Sequence, residues 1–157
     1  MTRDLTKLKD GDTFTPSSWD EAHPGRFLNY THIELAGGSL TLTIDKVFAE
    51  RMGMKNNAPE VRNILAFRET AQQYATQKTN EALIVAMFGP RPGDLIGKRV
   101  TFVVGTDFRP DIKANGPVIR IGGSPDIDGD REVTVTYSQK SRRAPKTFRL
   151  RKTAGGA

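Results

Sequence analysis

A mainly β fold is what this sequence predicts, and three observations predict it. Apolar and polar residues alternate with a period of two in several short runs, among them Leu40-Thr41-Leu42-Thr43-Ile44, which is the pattern of half-buried strands. Gly 15 and Pro 9 are scattered through 157 residues, so short elements are separated by frequent turns. A single stretch, Thr79 to Phe88, reads as a helix. The hydrophobic share of 36% can supply one core, and one domain is expected.

The elements follow in order. Residues 1–26 hold breakers such as Asp10-Gly11-Asp12 and His23-Pro24-Gly25, with Phe14 and Trp19 the large apolar groups, and read as an irregular arm. A first strand runs from Ser39 through Val47 and Phe48; a loop at Met52 to Pro59 turns the chain, and Val61 to Phe67 returns as the second strand. A short third strand is expected around Gln73 to Gln77. Thr79 can cap the helix, whose Leu83/Met87 and Ile84/Phe88 pairs fall at i, i+4 and define a packing side before Gly89-Pro90 stops it. Lys98 to Phe108 and Pro117 to Ile121 supply two more strands, and Val133/Val135/Tyr137 with Phe148/Leu150 read as a last hairpin. A helix between the third and fourth of five strands is the order of an OB-like barrel, in which it plugs one end. The expected architecture is therefore an OB-like five-stranded barrel over residues 27–122, with a C-terminal hairpin and basic tail over 123–157.

Charge is distributed unevenly along the chain. Of 24 Lys and Arg, seven (Lys140, Arg142, Arg143, Lys146, Arg149, Arg151, Lys152) lie after Ser138 with no acid among them, which leaves 17 against 18 acids in residues 1–138. The whole net charge of +6 thus sits in the last stretch. A polyanion is the simplest partner for such a block, because each cation placed on a phosphate releases condensed counterions. A solvated tail is the alternative, and the alternation of Phe148 and Leu150 with basic residues speaks against pure disorder. Lys98, Arg99, Arg109 and Arg120, with Arg51, Lys55 and Lys113, can extend a basic groove from that cluster. Trp19, Tyr74, Phe108 and Tyr137 lie in polar surroundings and are candidates to stack on unpaired bases, packing in the core being the other reading for each. Phe48, Phe67, Phe88 and Phe102 fall in apolar patterns and are assigned to the core.

Catalytic chemistry finds little support. Gly93-Asp94-Leu95-Ile96-Gly97-Lys98-Arg99 has three residues between its glycines and Arg99 where a phosphate-binding loop needs Ser or Thr, and a strand rather than a helix follows it. Asp126, Asp128 and Asp130 alternate but lack the downstream Glu of a calcium loop, and read as a turn. His23 and His32 have no partner at recognisable spacing. With no cysteine, disulfides and thiolate chemistry are excluded. No enzyme activity, metal or cofactor is expected. The polar first twelve residues carry no secretory signal and no run approaches a membrane span, so a cytoplasmic location away from membranes is expected.

Four segments resemble a family of small bacteriophage and prophage proteins: Asn29-Tyr30-Thr31-His32-Ile33-Glu34-Leu35-Ala36-Gly37-Gly38 running into the first strand, Thr76-Gln77-Lys78-Thr79-Asn80-Glu81-Ala82-Leu83 at the helix start, Gly93 to Phe102, and Val118-Ile119-Arg120-Ile121. The resemblance covers about Phe27 to Gly122 and departs at the loop Met52 to Glu60 and after Gly123. It implies a phage setting, a compact β-fold, and a role in binding single-stranded DNA during replication or recombination. The basic end departs from the acidic tail that such binders often carry. The second expectation, from another class, is a protein-interaction module that binds or inhibits a host protein or defence complex; a virion component and an enzyme follow.

Overall fold

The computed structural model describes residues 9–13, 15, 25–55, 57–138 and 143–154. A short helix α1 (Tyr30–Leu35) precedes the strands β1 (Ser39–Lys55), β2 (Ala58–Phe67) and β3 (Tyr74–Ala75); helix α2 (Lys78–Phe88) and a 3-10 turn at Pro92–Leu95 lead to β4 (Arg99–Arg109), β5 (Ala114–Ser124), β6 (Arg131–Val135) and β7 (Lys146–Lys152). The strands form one sheet in the order β3-β2-β1-β4-β5-β7-β6. Pairing is antiparallel except between β5 and β7, which run parallel through Gly123 and Ser124. No helix among the described residues is long and apolar enough to cross a membrane.

β1 organises the sheet by changing partner along its length. Ser39 to Thr43 pair with β4, and Ile44 to Lys55 pair with β2, with register shifts between Ile44 and Lys46 and between Arg51 and Met54. Such an irregularity bends a strand. The bend brings Leu42, Ile44, Leu65 and Phe67 to the same core as Val100, Phe102, Ile119 and Ile121, and α2 covers it with Leu83, Ile84 and Met87. The helix thus presents the expected packing side, with Phe88 partly buried against the same core.

The mainly β class and the hairpins stand as expected, while the closed five-stranded barrel is not what the structure shows. The first five strands take the order β3-β2-β1-β4-β5, so closure would require β3 to meet β5. β3 is two residues long, and the edge of β5 is occupied instead by a side chain. Asn80 of α2, fully buried, donates through Nδ2 to the carbonyl of Ile119 (3.1 Å) and accepts on Oδ1 from the amide of Ile121 (3.1 Å). These are the two bonds a neighbouring strand's peptide would make, and they satisfy groups that are costly to bury unpaired. The sheet stays open there and grows at the far end of β5 instead. Gly123 permits that growth: a Cβ at this residue would lie 1.9 Å from the carbonyl oxygen of Arg151.

Two further differences from the sequence reading concern local elements. The loop expected at Met52 to Pro59 is strand almost throughout, because β1 and β2 extend to Lys55 and Ala58 and leave a tight turn in which Asn57 has φ 61°, a conformation Asn tolerates. Helix α1 was not expected. Asn29 caps it by accepting from the Thr31 amide (2.8 Å), and the His32 ring accepts from the Asn29 amide at Nδ1 (3.0 Å), with Nε2 2.9 Å from Gln72. His32 is therefore a buried structural group. The C-terminal hairpin of β6 and β7 shares the main core, contributing Val135 and Leu150. Trp19, Arg142 and the expected N-terminal arm, apart from 9–13, 15, 25 and 26, lie outside the described residues.

Candidate nucleic-acid interface

Where β3 and β5 fail to meet, the surface opens into a cleft of about 1080 Å³. Its walls come from the chain entering α1, the β3–α2 junction, the β4–β5 hairpin, and the segment around Tyr137 and Arg143. The junction is pinned by Arg62, whose Nη2 donates to the carbonyls of Ala75 (3.0 Å) and Thr76 (2.7 Å).

The interior wall is built on Arg120. Neighbouring Ile119 and Ile121 point into the core, so strand alternation sends Arg120 to the other face. There it lies against Gly105, where a Cβ would stand 3.1 Å from its own, and 5.3 Å from the Phe148 ring centroid. Its guanidinium donates to Asn80 Oδ1 (3.3 Å) and Asp107 Oδ2 (3.0 Å). At 7% exposure this cation is matched inside the protein, as a buried charge requires. Asp107 also accepts from Arg143 at 3.0 and 3.1 Å and from the Phe108 amide at 2.8 Å. Burial pushes the Asp107 carboxyl up, but the Phe108 and Arg143 hydrogen bonds with the nearby charges outweigh it and hold the group below the ordinary carboxylate range.

Two arginine-on-tyrosine pairs flank this centre. Arg143 sits 4.1 Å from the Tyr137 ring centroid, and the Tyr137 hydroxyl is 2.9 Å from Thr79 Oγ1 at the start of α2. Arg109 sits 5.2 Å from the Tyr30 ring centroid and donates to Asp111 at 2.6 Å. Phe108, one pair short of the β4–β5 turn, is 56% exposed, and that turn also exposes Ile112. Planar cations beside aromatic rings and an exposed phenyl group form a surface suited to phosphates and unpaired bases together.

The residues singled out from the sequence separate into two groups. Arg109, Arg120, Arg143, Phe108 and Tyr137 line the cleft. Lys146 stands beside it, with Nζ 3.4 Å from the Thr106 carbonyl and 5.3 Å from the Phe148 ring. Arg99 begins β4, just after Lys98, and the other end of the strand is Arg109, about 30 Å away along an extended strand. Arg99 pairs there with Asp126 at 2.7 Å. Arg149 and Arg151 lie on the outward face of β7, 3.1 and 4.0 Å from Asp130, and the Lys152 ammonium donates to the carbonyls of Pro125 and Ile127. Arg99 hydrogen bonds lower the Asp126 carboxyl, and the Lys152 amide with Arg149 lowers that of Asp130.

Two of the expected contact residues are corrected by burial. Tyr74 is 2% exposed, packs edge-on against Phe102, and receives a hydrogen bond from Asn80; burial pushes its phenol up. A ring so enclosed cannot stack on a ligand base. Arg120 is an internal support for Asp107 rather than an exposed phosphate contact. Asp107, Asn80, Tyr30 and Arg62 were not expected; a carboxylate inside the strand run Thr106-Asp107-Phe108-Arg109 was the readable sign of the first. Comparison with family models, curated proteins and solved structures finds no match for this chain.

Proposed function

We propose that the protein binds single-stranded nucleic acid, DNA foremost, along the open side between β3 and β5, and that it acts by binding without catalytic turnover. The observation that carries this reading is the convergence on one cleft of exposed Phe108 and half-buried Tyr137 and Tyr30 with the guanidiniums of Arg109 and Arg143. Stacking favours unpaired bases of any sequence, and the cations supply the backbone attraction. The strand order β3-β2-β1-β4-β5 with a helix before β4 supports an OB-like reading of the first five strands, opened where Asn80 replaces a strand. The phage resemblance supports a role in replication or recombination in the host cytoplasm.

Fluorescence anisotropy with labelled single-stranded DNA, single-stranded RNA and duplex DNA tests the proposal. Single strands should bind best, with affinity falling as salt rises by roughly 0.7 in the log-log slope per phosphate contacted. Phe108→Ala should weaken binding by about 1–3 kcal/mol and leave the melting temperature unchanged, since the ring is exposed. Equal affinity for duplex, or indifference to Phe108→Ala, would refute it. A protein-interaction module is the second reading, favoured by the apolar groups Phe108 and Ile112 on one hairpin and Met54 and Val61 on the other. Absence of nucleic-acid binding at low salt would move the weight to it.

A further inference from the structure

Three donors from different segments converge on Asp107: the buried guanidinium of Arg120, the Phe108 amide, and the half-exposed guanidinium of Arg143. A third cation, Lys146, reaches the carbonyl of the preceding residue, Thr106. A carboxylate held by cations and a backbone amide at the edge of an open cleft occupies the kind of place a phosphodiester oxygen takes on a protein. The partners differ in how they are anchored. Arg120 is fixed by Asn80 and by burial, and a ligand cannot reach it without disrupting the core. Arg143 has 42% of its side chain exposed, against 15% for Asp107. Its guanidinium also lies over Tyr137, which Thr79 holds by its hydroxyl, so a stacking support remains when the carboxylate contact is given up.

We propose that Arg143 is the phosphate-contacting residue of the cleft and that Asp107 is its internal placeholder, from which Arg143 passes to a backbone phosphodiester when single-stranded nucleic acid binds. This rests on the function proposed above and adds a subsite and a direction of exchange. Asp107 keeps Arg120 and the Phe108 amide satisfied in both states, so the exchange leaves no buried cation without a partner. The carboxylate lowers affinity in the free protein because its hold on Arg143 must be broken for each phosphate gained. Removing its charge should therefore tighten binding, which is the opposite of what removal of a positioning group does.

A double-mutant cycle on an oligothymidylate tests the exchange. Asp107→Asn removes the charge and keeps one acceptor oxygen, for the Phe108 amide, while Arg120 retains Asn80 as its acceptor. It should tighten binding about two- to fivefold, the range of a partly exposed ion pair. Arg143→Gln should weaken binding and reduce the log-log salt slope by about 0.7, one phosphate contact. In the Arg143→Gln background, Asp107→Asn should lose its gain. An equal gain in both backgrounds would overturn the exchange, since Asp107 would then be a general repulsive charge. Weaker binding by Asp107→Asn would overturn it too, since the carboxylate would then position Arg143. If Asp107→Asn fails to melt cooperatively, Arg143→Lys in the wild-type background decides: a lysine keeps the charge but loses the forked contact to Asp107, and should retain the salt slope with affinity no worse than threefold below wild type, whereas a slope as low as that of Arg143→Gln contradicts the subsite. Failure of the wild-type protein to bind at low salt would instead overturn the function itself.

Discussion

The two ends of β4 carry similar charge and do different things with it. At the end beginning with Arg99, Arg99 meets Asp126, Arg149 and Arg151 meet Asp130, and Lys152 meets two backbone oxygens. At the end finishing with Arg109, Arg109 and Arg143 also meet carboxylates, Asp111 and Asp107, but they stand as well beside the Tyr30 and Tyr137 rings and near exposed Phe108 around an opening. A count of Lys and Arg along the chain therefore locates charge but not a site. What makes a site is an opening together with groups, here aromatic, that have more to gain from a ligand than from the protein.

Asn80 holds the edge of β5 where a strand would lie, and its loss should cost the fold most. Asn80→Ala leaves the Ile119 carbonyl and the Ile121 amide without their partner in the interior, and removes an acceptor from Arg120. At about 1–3 kcal/mol for each buried group left unsatisfied, a loss of about 3 kcal/mol or more is expected in urea denaturation. A loss below about 1 kcal/mol would mean that β5 finds other partners there, and that the cleft does not depend on the interruption. A smaller effect comes with acid. Asp107, Asp126 and Asp130 are all held below the ordinary value, so their contributions are present above the unfolded carboxylate pKa of about 3.9 and are lost as pH falls through the lower folded values. Melting temperature should therefore hold down to about pH 4 and fall below it. Asp126→Asn should flatten that fall without changing nucleic-acid affinity, sharpening the contrast between the two ends.

Much of this fold could be read from period and punctuation. The alternation in Leu40 to Ile44, the i, i+4 pairs of α2 and the Val133/Phe148 hairpin each reflect one face seeking a core, which is a local property of the sequence. Helix α1 escaped because six residues are too few for a helical period to show, and its cap uses His32 where Glu or Gln is the usual sign. Closure escaped for a different reason. Whether β3 meets β5 depends on a single amide from α2 and on a parallel approach of β7 at Gly123, contacts between residues about 40 and 28 positions apart. The candidate cleft was half legible: Arg109, Arg143, Phe108 and Tyr137, which line it, carry cationic or aromatic chemistry that the sequence displays. Tyr74 and Arg120 carry the same chemistry, and only burial distinguishes them. The basic block after Ser138 read as one cluster, but strand alternation in β7 sends Arg149 and Arg151 to a different face from Lys146 and Phe148. Leu150, fully buried between them, ties the block to the core, so deleting residues 139–157 would remove structure along with charge.

The most direct measurement removes two arginines from one end and two from the other and compares affinity for the same labelled single strand at low salt. Arg109→Ala with Arg143→Ala and Arg149→Ala with Arg151→Ala change net charge equally, so long-range attraction falls alike in both. If the cleft is the interface, the first pair should lower affinity at least tenfold beyond the second and flatten the salt slope by roughly 1.4, two phosphate contacts. Equal losses, or a larger loss from Arg149 and Arg151, would contradict the cleft and place binding on the outward face of β7.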